Sequence, residues 1–242
     1  MNLLIFFALF LPVILSGFSV FLFKTSSSFL KLILAFSGAF LLTISFVDII
    51  PEIYSTGNKT NIGLFILIGF FIQLLLEFIT KGVEHGHEHI NEEHDHAGIT
   101  PALPILIGIC IHSFMEGMPL AQHFEMSGLQ GTLLIGIVIH NIPISIVLMS
   151  LLLHANAKKS AAIIQLTIFA LAAPLGTIIC NYLGNSFVQN ITAYYDIIMA
   201  MVVGIFLHIS TTILFESDAK HGFNLNKFIA VILGAVIAFL IG

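Results

Sequence analysis

The sequence predicts an all-α polytopic membrane protein with eight transmembrane helices. Of its 242 residues, 58% are hydrophobic and only 9% are charged, a composition typical of membrane proteins rather than of soluble domains. The apolar residues also fall in runs long enough to cross a bilayer. Because a chain in lipid must satisfy its backbone hydrogen bonds internally, we expect each of these runs to be a helix.

The apolar runs form one predicted transmembrane domain that covers residues 1–242. The first run is long and lacks both a basic leader and a small-residue cleavage motif, so it is predicted to be a spanning helix rather than a signal peptide. In chain order the approximate limits of the runs are 3–23, 31–54, 62–81, 101–124, 129–154, 160–183, 193–215 and 227–241.

The lysines predict the orientation of the chain in the membrane. If both termini lie outside, only Lys59 among the eight basic residues lies on the outer side, as the positive-inside rule requires. The expected location is a plasma (inner) membrane, which the chain crosses several times. The lysines are few and scattered and give no nucleic-acid-binding signature, so no nucleic acid is expected as a partner. The expected surrounding of the chain is membrane lipid.

Ionisable side chains lie in the middle of the fourth and fifth runs. His112 and Glu116 are four residues apart, so a helix places them on the same face. His140 lies at a similar depth in the fifth run. Ionisable groups within a bilayer are costly and indicate a functional site. One such histidine alone could be a hydrogen-bonded interior residue, but the three residues together predict a divalent metal ion bound between these two helices.

Other polar residues are candidates for a metal path through the membrane. Taken singly, most of them are more typical of solvated positions at the membrane surface than of ligands. Asp48 and Glu52 share a face near the outer end of the second run and could recruit cations there. The other candidates are His123 toward the outside, Glu77 toward the inside and His208 within the seventh run.

The one long connection, residues 82–100, is predicted to be a flexible cytoplasmic loop. It mixes five histidines with five acidic residues and has no means of building a core. Imidazoles and carboxylates at this density bind zinc-like ions weakly and adaptably, although a merely solvated linker remains the alternative. The histidines are His85, His87, His89, His94 and His96.

Three motifs resemble those of the ZIP family of divalent metal transporters. They are HSFMEGMPLA in the fourth run, HNIPIS in the fifth and ALAAPLGTII in the sixth, with weaker matches at FVDIIPE and FLHIS in the second and seventh runs. The resemblance covers nearly the whole chain. It implies a 3+2+3 arrangement of helices, a homodimer, and inward transport in which helices one, four, five and six move against the other four.

The resemblance also implies roles for individual residues. His112 and Glu116 match ligands of the family's first metal site on the fourth helix, and His140 matches the ligand that opens the fifth-helix motif. Asn141 matches a polar ligand of a second site, and Ser113 stands where many members have asparagine. These five residues are therefore the expected metal ligands and their immediate neighbours.

Two departures from the family motifs predict a single metal ion per protomer, completed by Asn141 and water. Ile144 stands where the fifth helix usually has a bridging glutamate or histidine, and Ala173 stands where the sixth helix often has a glutamate. With neutral imidazoles and one carboxylate, one divalent ion leaves a local charge of about +1 and two ions leave about +3. Such charges repel strongly when they lie close together in a low dielectric.

The predicted function is the movement of a divalent metal ion into the cytoplasm. Imidazole and carboxylate ligands suit Zn²⁺ best, with Fe²⁺, Mn²⁺, Co²⁺ and Ni²⁺ also suited, and a site with one exchangeable position can release its ion. Two alternatives remain open: a family member that binds or senses metal without transport, and an intramembrane zinc hydrolase. The sequence contains neither H-E-x-x-H nor G-x-S-x-G, which argues against an enzyme.

Overall fold

The computed structural model describes residues 3–23, 26–55, 61–80, 102–121, 129–187, 191–215 and 224–242. Within these ranges the chain is helical apart from short turns and contains no strand. The predicted all-α fold class is therefore confirmed. His123 and the whole of the predicted loop, with its five histidines, lie outside the described residues.

The described ranges contain eight helices. They are α1 Leu3–Ser19, α2 Ser27–Ser55, α3 Ile62–Thr80, α4 Ala102–Gly117, α5 Leu129–His154, α6 Lys159–Phe187, α7 Ile191–Phe215 and α8 Leu225–Ile241. Six spans are long and apolar enough to cross a membrane: those of α2, α3, α5, α6 and α7, and that of α4 together with the turn that follows it, Leu103–Leu120. The helices α1 and α8 are apolar but shorter than these candidate spans, with 17 residues each. The chain is thus an integral membrane protein that crosses the bilayer several times.

The helix α1 ends before the predicted run does, and two serines lie in its last turn. Ser16 Oγ donates to the Pro12 carbonyl at 2.5 Å, and Ser19 Oγ donates to the Ser16 carbonyl at 2.6 Å. Such bonds compete with the backbone ladder of a helix. Residues 20–22 form a turn rather than continuing the helix, although their side chains are as apolar as those before them.

The fourth helix also ends earlier than the predicted limit at residue 124. Its α-helical part stops at Gly117, and a 3₁₀ turn, Met118–Leu120, contains Pro119 near its start. A proline lacks the N–H that an α-helix needs and crowds the preceding turn. Thr177 of α6 donates its hydroxyl to the Gly117 carbonyl at 2.7 Å, which gives a partner to a carbonyl that the helix end leaves exposed.

The helices pack in two groups. One group comprises α1, α4, α5 and α6, and the other comprises α2, α3, α7 and α8, while the main contacts between the groups join α2 to α5 and α3 to α4. Within the second group, Gly69 lies against the carbonyl of Met201 and Gly204 lies against the carbonyl of Ile66, where a Cβ would not fit. Small residues at such positions let the backbones of membrane helices approach closely.

Candidate metal centre

His112, Glu116 and His140 converge in the interior, between α4 and α5. Each offers one ligand atom, these atoms all lie within 4.8 Å of one another, and the three side chains are fully buried. The Nε2 atom of His112 lies 3.2 Å from Oε1 of Glu116, and the two imidazole rings meet edge to face with their centroids 5.8 Å apart. No other group of this kind occurs in the described ranges.

The convergence follows from helix periodicity and from close packing of α4 on α6. One turn of α4 separates His112 from Glu116, so their side chains project to the same side. On another side of α4, Gly117 lies against the Ala173 carbonyl, and Gly176 of α6 lies against the Phe114 carbonyl. These two contacts hold the end of α4 firmly at the level of the metal centre.

Gln73 of α3 determines which nitrogen of His112 carries a proton. Its Oε1 atom lies 3.0 Å from Nδ1 of His112, and both side chains are fully buried. An amide oxygen only accepts hydrogen bonds, so Nδ1 must donate. In a neutral imidazole the other nitrogen, Nε2, then carries the lone pair that a metal ion needs.

Ser37 of α2 has the same effect on His140. Its Oγ atom donates to the Leu34 carbonyl at 3.0 Å and lies 3.4 Å from Nδ1 of His140. A hydroxyl has a single proton, so one that donates to a carbonyl can only accept from the imidazole. While that hydroxyl donates to the carbonyl, Nδ1 of His140 is the donating nitrogen, and Nε2 carries the lone pair that a metal ion needs.

Asn141 contacts the metal centre through Glu116. Its Nδ2 atom donates to Oε2 of Glu116 at 3.2 Å, and its own Oδ1 atom is buried with no hydrogen-bond partner in the described part of the chain. The amide thus holds one carboxylate oxygen in place. Its oxygen remains able to accept a bond from water or to bind a cation directly.

The atoms that face one another at this centre repel unless a cation lies between them. With Nδ1 of His112 as the donor to Gln73, its Nε2 atom directs a lone pair toward Oε1 of Glu116, 3.2 Å away. A proton or a metal ion removes this repulsion. The nitrogen and oxygen ligand set, closed to bulk water, matches that of known zinc sites, so these residues fit a divalent cation.

The predicted path residues are not all brought to this centre. His208 of α7 and Glu77 of α3 form a separate pair, with Nε2 and Oε2 3.3 Å apart. Phe70 packs edge-on against the His208 ring at a centroid distance of 4.8 Å. Glu77 is one helical turn beyond Gln73 on α3, so one face of α3 reaches both the metal centre and this second pair.

The remaining candidates lie on other parts of the described chain. Ser113 is buried next to His112 in sequence. Asp48 lies in a π-helical turn of α2, Ser45–Ile49, and is half-buried against Gly242. Glu52 is half-buried in the last part of the same helix. Asp48 and Glu52 are not members of the three-residue group.

The two positions that depart from the family motifs are packed among apolar side chains. Ile144 is fully buried in an apolar cluster that includes Ile109 and Leu148. Ala173 is buried in a different apolar cluster, which includes Leu120. Neither side chain offers a ligand atom.

Gln73 and Ser37 are the functional candidates that the sequence analysis did not identify. Both are polar residues inside apolar runs, which is a usable signal because interior polar groups in membranes tend to bond across helices. Their sequence positions alone do not show which side chain they meet. That information lies in the packing of α3 on α4 and of α2 on α5.

The sequence of this chain matches a known protein family. A family model described as ZIP zinc transporter matches residues 81–242, a range that includes His112, Glu116 and His140. This chain belongs to the ZIP zinc transporter family. The family resemblance inferred from the motifs of the fourth, fifth and sixth runs is therefore confirmed.

Individual relatives of this ZIP family member are proteins named zinc transporter ZIP9. The protein of Micropogonias undulatus is 27% identical over 158 residues, covering 62% of this chain and 49% of that protein. Zinc transporter ZIP9-B of Xenopus laevis is 30% identical over 127 residues, covering 52% of this chain and 41% of that protein. ZIP9-A of the same species is 28% identical over 157 residues, covering 62% and 50%. The chain spans about half the length of the curated relatives that it matches.

Proposed function

We propose that this chain carries Zn²⁺ across a membrane into the cytoplasm, with His112, Glu116 and His140 as the ligands of the transported ion. The observation that carries the proposal is the burial of these three side chains around one point, with Nδ1 of each histidine in hydrogen-bond contact with a side chain of another helix. Membership of a zinc transporter family supports transport over hydrolysis. The chain is therefore not proposed to be an enzyme.

Zinc is the proposed substrate because two imidazoles and one carboxylate are the ligands that it prefers. Fe²⁺, Mn²⁺, Co²⁺ and Ni²⁺ suit the same ligands less selectively. We expect one ion per protomer, with Asn141 and water completing its coordination. The apolar packing of Ile144 and Ala173 supports a single ion, since no carboxylate is present to offset the charge of a second one.

The direction of transport rests on the predicted topology. The eight helices would form one transmembrane domain with both termini outside, in a plasma membrane and as a homodimer. Ions would enter past Asp48, Glu52 and His123 and leave past the pair formed by Glu77 and His208. Thiol reagents that do not cross membranes should label a cysteine that replaces Lys59 from outside and should not label one that replaces Lys158; the opposite pattern contradicts this orientation.

The loop at residues 82–100 is proposed to receive or sense the released ion. Its histidines and carboxylates suit weak, adaptable binding of zinc. If removal of residues 83–97 left uptake and its feedback by internal zinc unchanged, this role would be wrong.

Zinc uptake by proteoliposomes tests the proposed function. We compare the wild type with Glu116→Ala and His140→Ala. The matched control is His154→Ala, because His154 is exposed at the end of α5 and its hydrogen bond among the described residues is a local one, with the Ser150 carbonyl. The two ligand variants should lose at least about tenfold in uptake, since even outer-shell changes around metals cost that much. The control should transport zinc as the wild type does.

The same experiment separates the competing functions. Zinc binding that Glu116→Ala abolishes, without any uptake by the wild type, would indicate a family member that binds or senses metal. Zinc-dependent hydrolysis without uptake would indicate an enzyme. Wild-type uptake that neither ligand variant reduces would refute the proposed site while leaving transport itself intact.

A further inference from the structure

Two hydrogen bonds join the metal ligands to helices of the opposite group. His112 lies on α4 and His140 on α5, and both helices belong to the group that also contains α1 and α6. Their partners Gln73 and Ser37 lie on α3 and α2, in the other group. Each histidine ligand is thus held from across the boundary between the two groups.

Both partners impose the same tautomer, by different chemistry. Gln73 presents an oxygen that can only accept, and Ser37 accepts from the imidazole while its hydroxyl donates to the Leu34 carbonyl. Each therefore requires a proton on Nδ1 of its histidine and leaves the lone pair on Nε2. A histidine that binds metal through one nitrogen ordinarily donates a hydrogen bond from the other, and this contact orients the ring and raises its basicity.

From these contacts we propose that Gln73 and Ser37 are positioning residues, which keep the two histidine ligands in the metal-binding tautomer only while the two helix groups lie as they do here. The inference rests on the proposed function, because it takes the three-residue centre as the binding site of the transported ion. Its consequence is that zinc affinity depends on the relative position of the groups. When the groups separate at α2–α5 and α3–α4, both histidines lose these bonds, and the site releases its ion more readily.

The contacts around these bonds favour this role over a merely structural one. Gln73 and Ser37 are both fully buried, so neither bond competes with water. Neither residue is a neighbour in sequence of the histidine that it meets, and each comes from a helix that supplies no other atom to the three-residue centre. A buried amide that served only to join helices would not need to meet a metal ligand.

Zinc affinity of the purified full-length protein tests the proposal. We measure zinc affinity by chelator competition and compare only the binding that Glu116→Ala abolishes. Zinc bound by the loop at residues 82–100 is the same in every variant, so it is excluded from the comparison. Gln73→Leu and Ser37→Ala should each weaken this component by about 10- to 100-fold. Gln73→Glu keeps an oxygen acceptor at the same reach and should retain the affinity of the wild type or exceed it.

Two further variants control for general damage. Ser45→Ala removes another fully buried α2 hydroxyl, one that bonds to the Leu41 carbonyl. Thr80→Val removes a buried α3 hydroxyl, one that bonds to the Glu77 carbonyl. Both controls should bind zinc as the wild type does. A loss of affinity in the controls equal to that in Gln73→Leu and Ser37→Ala would overturn the proposal.

Nitrogen NMR of protein labelled with ¹⁵N-histidine supplies a readout that packing alone would not change. Without metal, the wild type should show His112 and His140 with a protonated Nδ1 atom and an unprotonated Nε2 atom. In Gln73→Leu the His112 signals should move toward the other tautomer, while those of His140 stay. If the tautomers and the zinc affinity both stay unchanged in these variants, the proposed role of Gln73 and Ser37 is refuted. If Glu116→Ala does not reduce zinc binding at all, the proposed function is refuted instead.

Discussion

At the scale of the residue, Glu116 supplies the negative charge of a site otherwise made of neutral donors. Its two oxygens have different neighbours: Oε1 faces Nε2 of His112 at 3.2 Å, and Oε2 accepts from Asn141 at 3.2 Å. A fully buried carboxylate is costly unless it is compensated. A divalent ion compensates it well, whereas two such ions would leave a large uncompensated positive charge.

The number of ions per protomer tests this charge argument. In equilibrium dialysis with zinc, the wild type should bind one ion more per protomer than Glu116→Ala that has been prepared in the same way. The physical reason is that Ile144 and Ala173 leave Glu116 as the single carboxylate of the cluster. A difference of two ions with similar affinities would contradict the one-ion site.

The sequence was sufficient to predict that His112, Glu116 and His140 come together, because the signal for each of them is local. The four-residue spacing of His112 and Glu116 and the depth of His140 depend only on helix geometry and on the cost of burying ionisable groups. The amide direction of Asn141 and the contacts of Gln73 and Ser37 depend on how distant helices face one another. No periodicity within a single run carries that information.

At the scale of the element, a change in the relative position of the two groups would alter the contacts α2–α5 and α3–α4 first. The α3–α4 contact is especially close, because Gly108 lies against the Thr80 side chain. A Cβ built on Gly108 would lie 3.7 Å from Cβ of Thr80, near the mean of about 3.8 Å in disulfides. The two positions therefore suit a cross-link between the groups.

A disulfide between Thr80→Cys and Gly108→Cys should stop zinc uptake and leave zinc binding intact. The cross-link holds α3 against α4 as observed, which preserves the Gln73–His112 bond but prevents movement of the groups. Zinc uptake and zinc binding are measured before and after the disulfide is reduced. In the protein used, Cys110 and Cys180 are replaced by alanine. Reduction should restore uptake; full uptake in the oxidised protein would show that these helices need not separate.

Helix ends were less predictable than helix identities. The predicted fourth run continued to residue 124 because its side chains stay apolar beyond Gly117, yet the α-helix stops there and a 3₁₀ turn with Pro119 follows. The first run continued to residue 23 for the same reason, although α1 ends at Ser19. Hydropathy measures compatibility with lipid, and it does not register a proline such as Pro119 that follows the end of an α-helix.

At the scale of the whole molecule, the two helix groups enclose the metal centre at their boundary. The three clustered residues come from one group, and the side chains that contact Nδ1 of the two histidines come from the other. This division offers a physical basis for alternating access. The movement that opens a path for the ion would also lower the affinity of the site for it. Such coupling meets the requirement that a transport site bind firmly enough to load and weakly enough to release.

The most direct test of the account is the position of zinc in an experimental structure of the full-length protein. Anomalous scattering recorded above and below the zinc edge locates the ion independently of the side chains. The account predicts one peak in the membrane domain, about 2.0–2.2 Å from Nε2 of His112, Nε2 of His140 and an oxygen of Glu116. A peak held by other residues, with these three side chains turned away from it, would contradict the central claim.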